Sequence, residues 1–227
     1  MEPVFRIDFV SDVSCPWCAI GLGSLEIALE RLLGELDARI HFQPFELNPR
    51  MGPLGQDIAE HLTQKYGSSP QQQAATREMI RQRGAEVGFE FRPQGRDRIY
   101  NTFDAHRVLH WAREQGRQTE LSLALFHAYF TEGRNPSDPA VLREAAEAQG
   151  LDGAEVEAIV ASDRIVALDS PDEGHTPPEP DGVNAHTVLY GVLQHSGAEL
   201  SAHQTITAEQ ERYSSIAQIA AEYETIA

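Results

Sequence analysis

The chain has 227 residues, 41% of them apolar and 23% charged, and a formal net charge of −17. That length holds one large domain or a core domain with an inserted one, and the composition is that of an ordinary globular protein. The acidity argues against a nucleic-acid partner, which needs a basic face. No apolar run approaches the roughly 18 residues of a membrane span. The N-terminal Met1-Glu2-Pro3-Val4-Phe5-Arg6 lacks the basic-then-apolar pattern of a signal peptide, so the expected location is the cytosol.

In chain order, Val4 to Val10 reads as a buried strand and Ser11 to Ser14 as a turn. A helical period starts at Pro16 and runs through Ile20, Leu22, Leu25, Leu29 and Leu32, with Gly34 near its end. Ile40, Phe42 and Phe45 mark a second strand, stopped by Asn48-Pro49 and Gly52-Pro53. Strand, turn, helix, strand predicts a parallel pair joined by a right-handed crossover. From Gln56 to Leu168 the signals are helical: Ile58–Tyr66, Gln71–Val87, Thr102–Gln115, Leu121–Phe130, Val141–Gln149 and Ala154–Ser162, with Phe89-Glu90-Phe91 as a short extended piece. A proline-rich loop over 170–181, a strand over Val183–Leu193 and a helix over Ala208–Tyr223 follow. The expected division is therefore 1–55 and 169–227 as the two parts of an α/β fold, with 56–168 inserted as an all-helical domain.

The chain has two cysteines, Cys15 and Cys18. A bridge between them closes almost no loop, so it stabilises little as a structural element. In a reducing compartment such spacing points to catalysis or metal binding. Cys15 stands where a helix begins, so unpaired N–H groups and the positive end of the dipole favour its thiolate, the form that attacks disulfides. Pro16 suits the first helical position because it has no N–H to leave unpaired. Cys18, one turn on, can resolve a mixed disulfide at Cys15. The competing readings are two inert buried cysteines, or half of a zinc shell completed from elsewhere; no metal ligand set is assigned.

Asp8-Phe9-Val10-Ser11-Asp12-Val13-Ser14-Cys15-Pro16-Trp17-Cys18 resembles the opening of DsbA-like oxidoreductases, above all the FrnE group. Phe45-Glu46-Leu47-Asn48-Pro49, Asn101-Thr102-Phe103-Asp104-Ala105-His106-Arg107 and Phe126 to Leu151 are similar to later parts of that group. The resemblance implies a thioredoxin fold split by a helical domain, with thiol–disulfide exchange as its activity. Cys15 then maps to the nucleophile, Cys18 to the resolving thiol and Pro16-Trp17 to the variable dipeptide. The family's cis-proline segment maps to Asn184 or Ala185, neither a proline, and a cis bond before a non-proline costs about 2.5–4 kcal/mol. The substrate groove is thus expected to differ there.

Trp17 is expected over the cleft, and Phe103 and His106 from the insert are candidates to line it. His106 and His110 share a helix face at metal-ligand spacing, but with no acid between them as in a metalloprotease, and packing is the expected role. Asp12 reads as a loop acid and Glu46 as an exposed one. The expected substrate is a thiol or disulfide on a protein or small molecule, with no cofactor beyond the redox-active disulfide, glutathione being the one candidate. The alternatives are a glutathione-binding enzyme like the kappa-class transferases and 2-hydroxychromene-2-carboxylate isomerases, against which the intact cysteine pair weighs, and a non-catalytic metal- or ligand-binding protein. Oligomeric state is not legible.

Overall fold

A computed structural model describes residues 5–93 and 96–162. The expected strand over 183–193, the helix over 208–223, and Asn184 and Ala185 lie outside them.

Strand β1 (Phe5–Ser11) leads through a turn into helix α1 (Pro16–Arg31), and the chain returns in strand β2 (Ala38–Pro44). The strands pair in parallel, Phe5 opposite Ala38 through Ser11 opposite Pro44. This is the crossover the sequence predicts, and it is short because one helix suffices to reverse the chain. Phe9 and Phe42 stand opposite each other with ring centroids 5.3 Å apart, edge to face. They anchor an apolar cluster with Ala19, Ile20 and Leu22 of α1.

After β2 come a two-residue strand β3 (Gln56–Asp57), α2 (Ile58–Tyr66) and α3 (Pro70–Glu86). Asp57 caps α2 by accepting the Glu60 N–H at 3.0 Å. Ser69 and Gln72 form a reciprocal capping box at the start of α3. β3 pairs antiparallel with β4 (Arg98–Ile99), a contact absent from the sequence expectation. The Phe89–Phe91 segment forms no strand. Its two rings instead pack on one another and on Phe130. That packing explains Gly84 in α3: a Cβ there would stand 2.4 Å from the Phe91 ring.

The remaining described helices are α4 (Phe103–Glu114), α5 (Gln118–Phe126), α6 (Pro139–Ala148) and α7 (Gly153–Val160). Asp138 and Asp152 cap α6 and α7 through the backbone N–H groups of Ala140 and Ala154, each at 2.9 Å. Val108, Leu109, Ala112, Leu121, Leu125, Leu142, Val156 and Ile159 fill a second apolar cluster between them. α5 passes at its end into a π-helical turn, His127–Thr131, where the sequence period suggested one continuous helix. The wider turn sends Phe126, Tyr129 and Phe130 into the Phe9 cluster, so one stretch of chain serves both cores.

Gln118 supplies the other junction. Its side-chain amide accepts the Phe42 N–H at 3.0 Å and donates to the Phe42 carbonyl at 3.1 Å. α5 is thereby fastened to the side of β2 that β1 does not use.

Candidate active site

The β1–α1 turn holds Cys15 at the threshold of the helix. Its backbone is extended (φ −94°, ψ 111°) and Pro16 follows at the first helical position. The Cys15 N–H donates to the Asp12 carbonyl at 2.9 Å, and the Cys15 carbonyl accepts from Cys18 N–H at 3.1 Å and Ala19 N–H at 3.4 Å. Both cysteines are free thiols and half-buried.

Their proton affinities are driven apart. Cys15 is lowered from the ordinary thiol value, chiefly by a hydrogen bond from the Cys18 thiol. Burial opposes this, while the Cys18 backbone N–H assists, the Asp12 charge opposes and the Arg96 charge assists. Cys18 is pushed well up, first because its own proton serves Cys15, then by burial and by the charge on Cys15. A thiol lowered beside a thiol raised is the arrangement that favours attack by the first and resolution by the second.

Asp12 is the framework of the turn, not the plain loop acid that its position in the sequence suggests. It is 1% exposed. Oδ1 accepts the Ser14 N–H at 2.8 Å, and Oδ2 accepts the Leu47 N–H at 2.6 Å. The Phe45 N–H donates to the Ser11 carbonyl at 3.1 Å. The segment after β2 is thus laced to the cysteine turn at two points. Glu46, between them, is half-buried instead of exposed. Burial raises its carboxyl above the usual range, and the Asp12 charge adds to that.

Arg96 closes the turn from the opposite direction. Its guanidinium donates to the Ser14 carbonyl and lies over the rings of Tyr129 and Phe130 at 5.5 and 5.4 Å. Tyr129 is held by a 2.7 Å bond from its hydroxyl to the Arg98 carbonyl. Nothing in the sequence marks Arg96, an ordinary arginine in a loop 81 positions beyond Cys15.

Cys15, Pro16, Trp17 and Cys18 come together at the start of α1. Trp17 is half-buried and leans on the Phe9 cluster, as does Cys18. Phe103, in the first turn of α4, is half-buried with the Arg107 guanidinium 5.7 Å from its ring centre. His106, one turn on, is 3% exposed and points to Asp12, with Nε2 3.8 Å from Oδ1. His110 lies 3.4 Å from the Arg113 guanidinium. Among the described residues no three His, Cys, Asp or Glu side chains converge as a metal site would require. No described helix is long and apolar enough to cross a membrane.

Residues 6–169 match the DSBA-like thioredoxin domain. The chain belongs to the DsbA-like thioredoxin family. An uncharacterized Bacillus subtilis protein, YwbO, is 30% identical over 149 residues, covering 66% of this chain and 68% of that one. A crystal structure of a probable DsbA oxidoreductase from Streptomyces coelicolor superimposes with a TM-score of 0.66 at 29% identity, covering 86% of this chain and 91% of that chain. A candidate protein disulfide isomerase from Nitrosomonas europaea shares the fold, with a TM-score of 0.53 at 16% identity over 85% of this chain and 98% of that one. The thioredoxin fold expected from the opening motif is therefore the fold of this DsbA-like chain, and the family supports a thiol oxidoreductase in general.

Proposed function

We propose that this member of the DsbA-like family is a thiol–disulfide oxidoreductase working through Cys15 and Cys18 in a reducing, cytosolic setting. The observation that carries the reading is the placement of the two free cysteines one turn apart at a helix start, Cys15 at the cap and Pro16 first in the helix, an arrangement that lowers the Cys15 thiol and raises that of Cys18. The Cys15 thiolate attacks one sulfur of a substrate disulfide, the substrate S–S bond breaks, and the first substrate thiolate leaves. Cys18 then gives up its proton, attacks the Cys15 sulfur and releases the second substrate thiolate. The Cys15–Cys18 disulfide forms, and two electrons have passed to the substrate. Run backward, the same steps oxidise a dithiol.

Pro16 and Trp17 stand beside the nucleophile and are assigned to substrate contact, with Phe103, Asn184 and Ala185 as further candidates; His106, expected to line the cleft, is instead buried against Asp12. The substrate is a thiol or disulfide on a protein or small molecule, and the dithiol is its own redox group. The division into thioredoxin parts 1–55 and 169–227 with a helical insertion at 56–168 belongs to the same reading.

Insulin reduction in the presence of a dithiol reductant tests it. Cys15→Ser is expected to lose all activity above background. Cys18→Ser is expected to accumulate a mixed disulfide at Cys15, seen by mass spectrometry. Equal activity of wild type and Cys15→Ser would remove the basis for the reading.

A further inference from the structure

β1 and β2 run parallel toward the cysteine turn, so their first residues lie at the far end of the sheet. There Arg6 stands opposite Arg39 and Asp8 opposite His41. Side chains alternate along a strand, so these four occupy the face that Phe9 and Phe42 do not. α4 packs against β2, and its last turn carries Arg113, whose guanidinium lies 3.4 Å from His110. His41 is lowered first by burial; the charges of Arg6, Arg113 and Arg39 act on it in the same sense, and Asp8 opposes them. Asp8 is already engaged: its Oδ1 accepts Arg6 Nε and Nη2 at 3.0 and 2.8 Å and the Gln43 amide at 2.8 Å. Arg6 and Arg39 are exposed and Arg113 is half-buried. Three arginines from three elements thus converge on a single acid, in a chain whose net charge is −17.

A basic face on an acidic protein attracts an acid-rich partner, and the chain itself supplies one. Arg107 of α4 donates to the carbonyls of Ile159 and Ser162, which fastens the last described residue beside that helix. His110 and Arg113 follow Arg107 on the same helix, about 4.5 and 9 Å further along its axis. Beyond Ser162 the sequence through residue 181 holds Asp163, Asp169, Asp172, Glu173, Glu179 and Asp181 against Arg164 alone. From Asp169 to Asp181 it has no lysine or arginine and reads as a proline-rich loop. Asp169 comes seven positions after Ser162, a stretch that spans up to about 23 Å when extended. The acidic segment therefore starts within reach of Arg113.

We propose that the acidic segment 169–181 docks on the basic face formed by Arg6, Arg39 and Arg113, as a clasp between the C-terminal part of the chain and the start of the β1–β2 pair. The clasp does not depend on the dithiol chemistry. Its contacts are carboxylate–guanidinium pairs, planar and bidentate where geometry allows. One exposed pair contributes little, but several acting together hold a segment in place, and salt screens them. A docked segment is also withheld from proteases.

The test is limited proteolysis of the full-length protein with a glutamate-specific protease, following the cut after Glu173 by mass spectrometry. A synthetic peptide of residues 163–187 gives the unprotected rate. Wild type is expected to be cut more slowly than the peptide, and Arg39→Glu with Arg113→Glu to be cut about threefold faster than wild type, or more, at low salt. Asp169→Arg with Asp172→Arg, added to that variant, is expected to restore protection, which a fold damaged by the first two changes would not allow; Glu173 remains as the cut site. High salt is expected to speed the cut in wild type and leave the peptide unchanged. A wild-type rate equal to that of the peptide would overturn the proposal. So would equal rates in wild type and the Arg39→Glu, Arg113→Glu protein, or a charge-swapped protein that stays unprotected. Protection that fades on dilution would place the acidic partner on a second copy of the chain, and would overturn it as well.

Discussion

Asp12 Oδ2 accepts the backbone N–H of Leu47 at 2.6 Å, and this one bond ties the turn carrying the nucleophilic cysteine to the chain leaving the neighbouring strand. A buried carboxylate spent on two N–H groups is structural as well as electrostatic. Replacing Asp12 with Ala strands the Ser14 and Leu47 amides in a dry environment. The expected loss is about 2–5 kcal/mol, from two hydrogen bonds to a charged acceptor, read as a lower urea midpoint with an unchanged slope. Asp12→Asn keeps one acceptor oxygen and is expected to fall between that variant and wild type.

The thiols give the reduced protein a pH-dependent stability. Cys15 has a folded value below the ordinary thiol value of 9.0. Its contribution is therefore complete above that ordinary value and is lost as pH falls through the depressed one. Cys18, raised well above 9.0, acts in the opposite sense only at alkaline pH. Reduced wild type should thus gain stability over reduced Cys15→Ala as pH rises toward 9, measured by urea unfolding under strong reductant. A difference that stays flat across that window would contradict the thiolate assignment. Below neutral pH, limiting iodoacetamide should label Cys15 ahead of Cys18 in peptide maps.

Arg96 contributes positive charge to the nucleophile and a donor to the Ser14 carbonyl before it. Its charge effect ranks below the hydrogen bond from Cys18. Arg96→Gln, which keeps donors and removes the charge, is expected to raise the Cys15 titration seen in thiolate absorbance. The thiolate fraction near neutral pH should fall by about a factor of two. An unchanged titration would confine Arg96 to packing over Tyr129 and Phe130.

Gln118 is spaced 76 residues from Phe42, yet bonds both of its backbone groups. Gln118→Leu fills similar volume and leaves a buried N–H and carbonyl unmet. A loss of about 2–4 kcal/mol is expected in chemical denaturation, with the disulfide-exchange activity of the surviving folded protein unchanged.

Local structure was legible where the signal is short-range. The strand, turn and helix around Cys15 follow from apolar runs, Pro16 and one helical period. Ile58–Tyr66 coincides with α2 because Asp57 and Gly67 bound it on either side. The β3–β4 pairing was not legible, because two-residue strands 41 positions apart carry no period. The π turn was hidden because Leu121 to Phe130 stays apolar whichever helix it forms. At the site, both cysteines were visible from their spacing alone. Asp12 was visible as a residue but not as a buried acceptor, since a turn aspartate usually meets water. Arg96 left no trace because its role depends on a tertiary approach. His106 had one clue: a polar ring among Ala105, Val108 and Leu109 on the inner face of a helix.

The amide of Gln118 has a consequence beyond stability. It occupies at Phe42 the bonding positions that a neighbouring strand would take, so β2 offers no continuous row of donors and acceptors on that flank. An exposed strand edge is a template for pairing with another chain; here a helix side chain mimics the missing strand and ends the ladder. Growth of the sheet is thereby directed away from β2, and accidental recruitment of a second molecule through that flank is blocked.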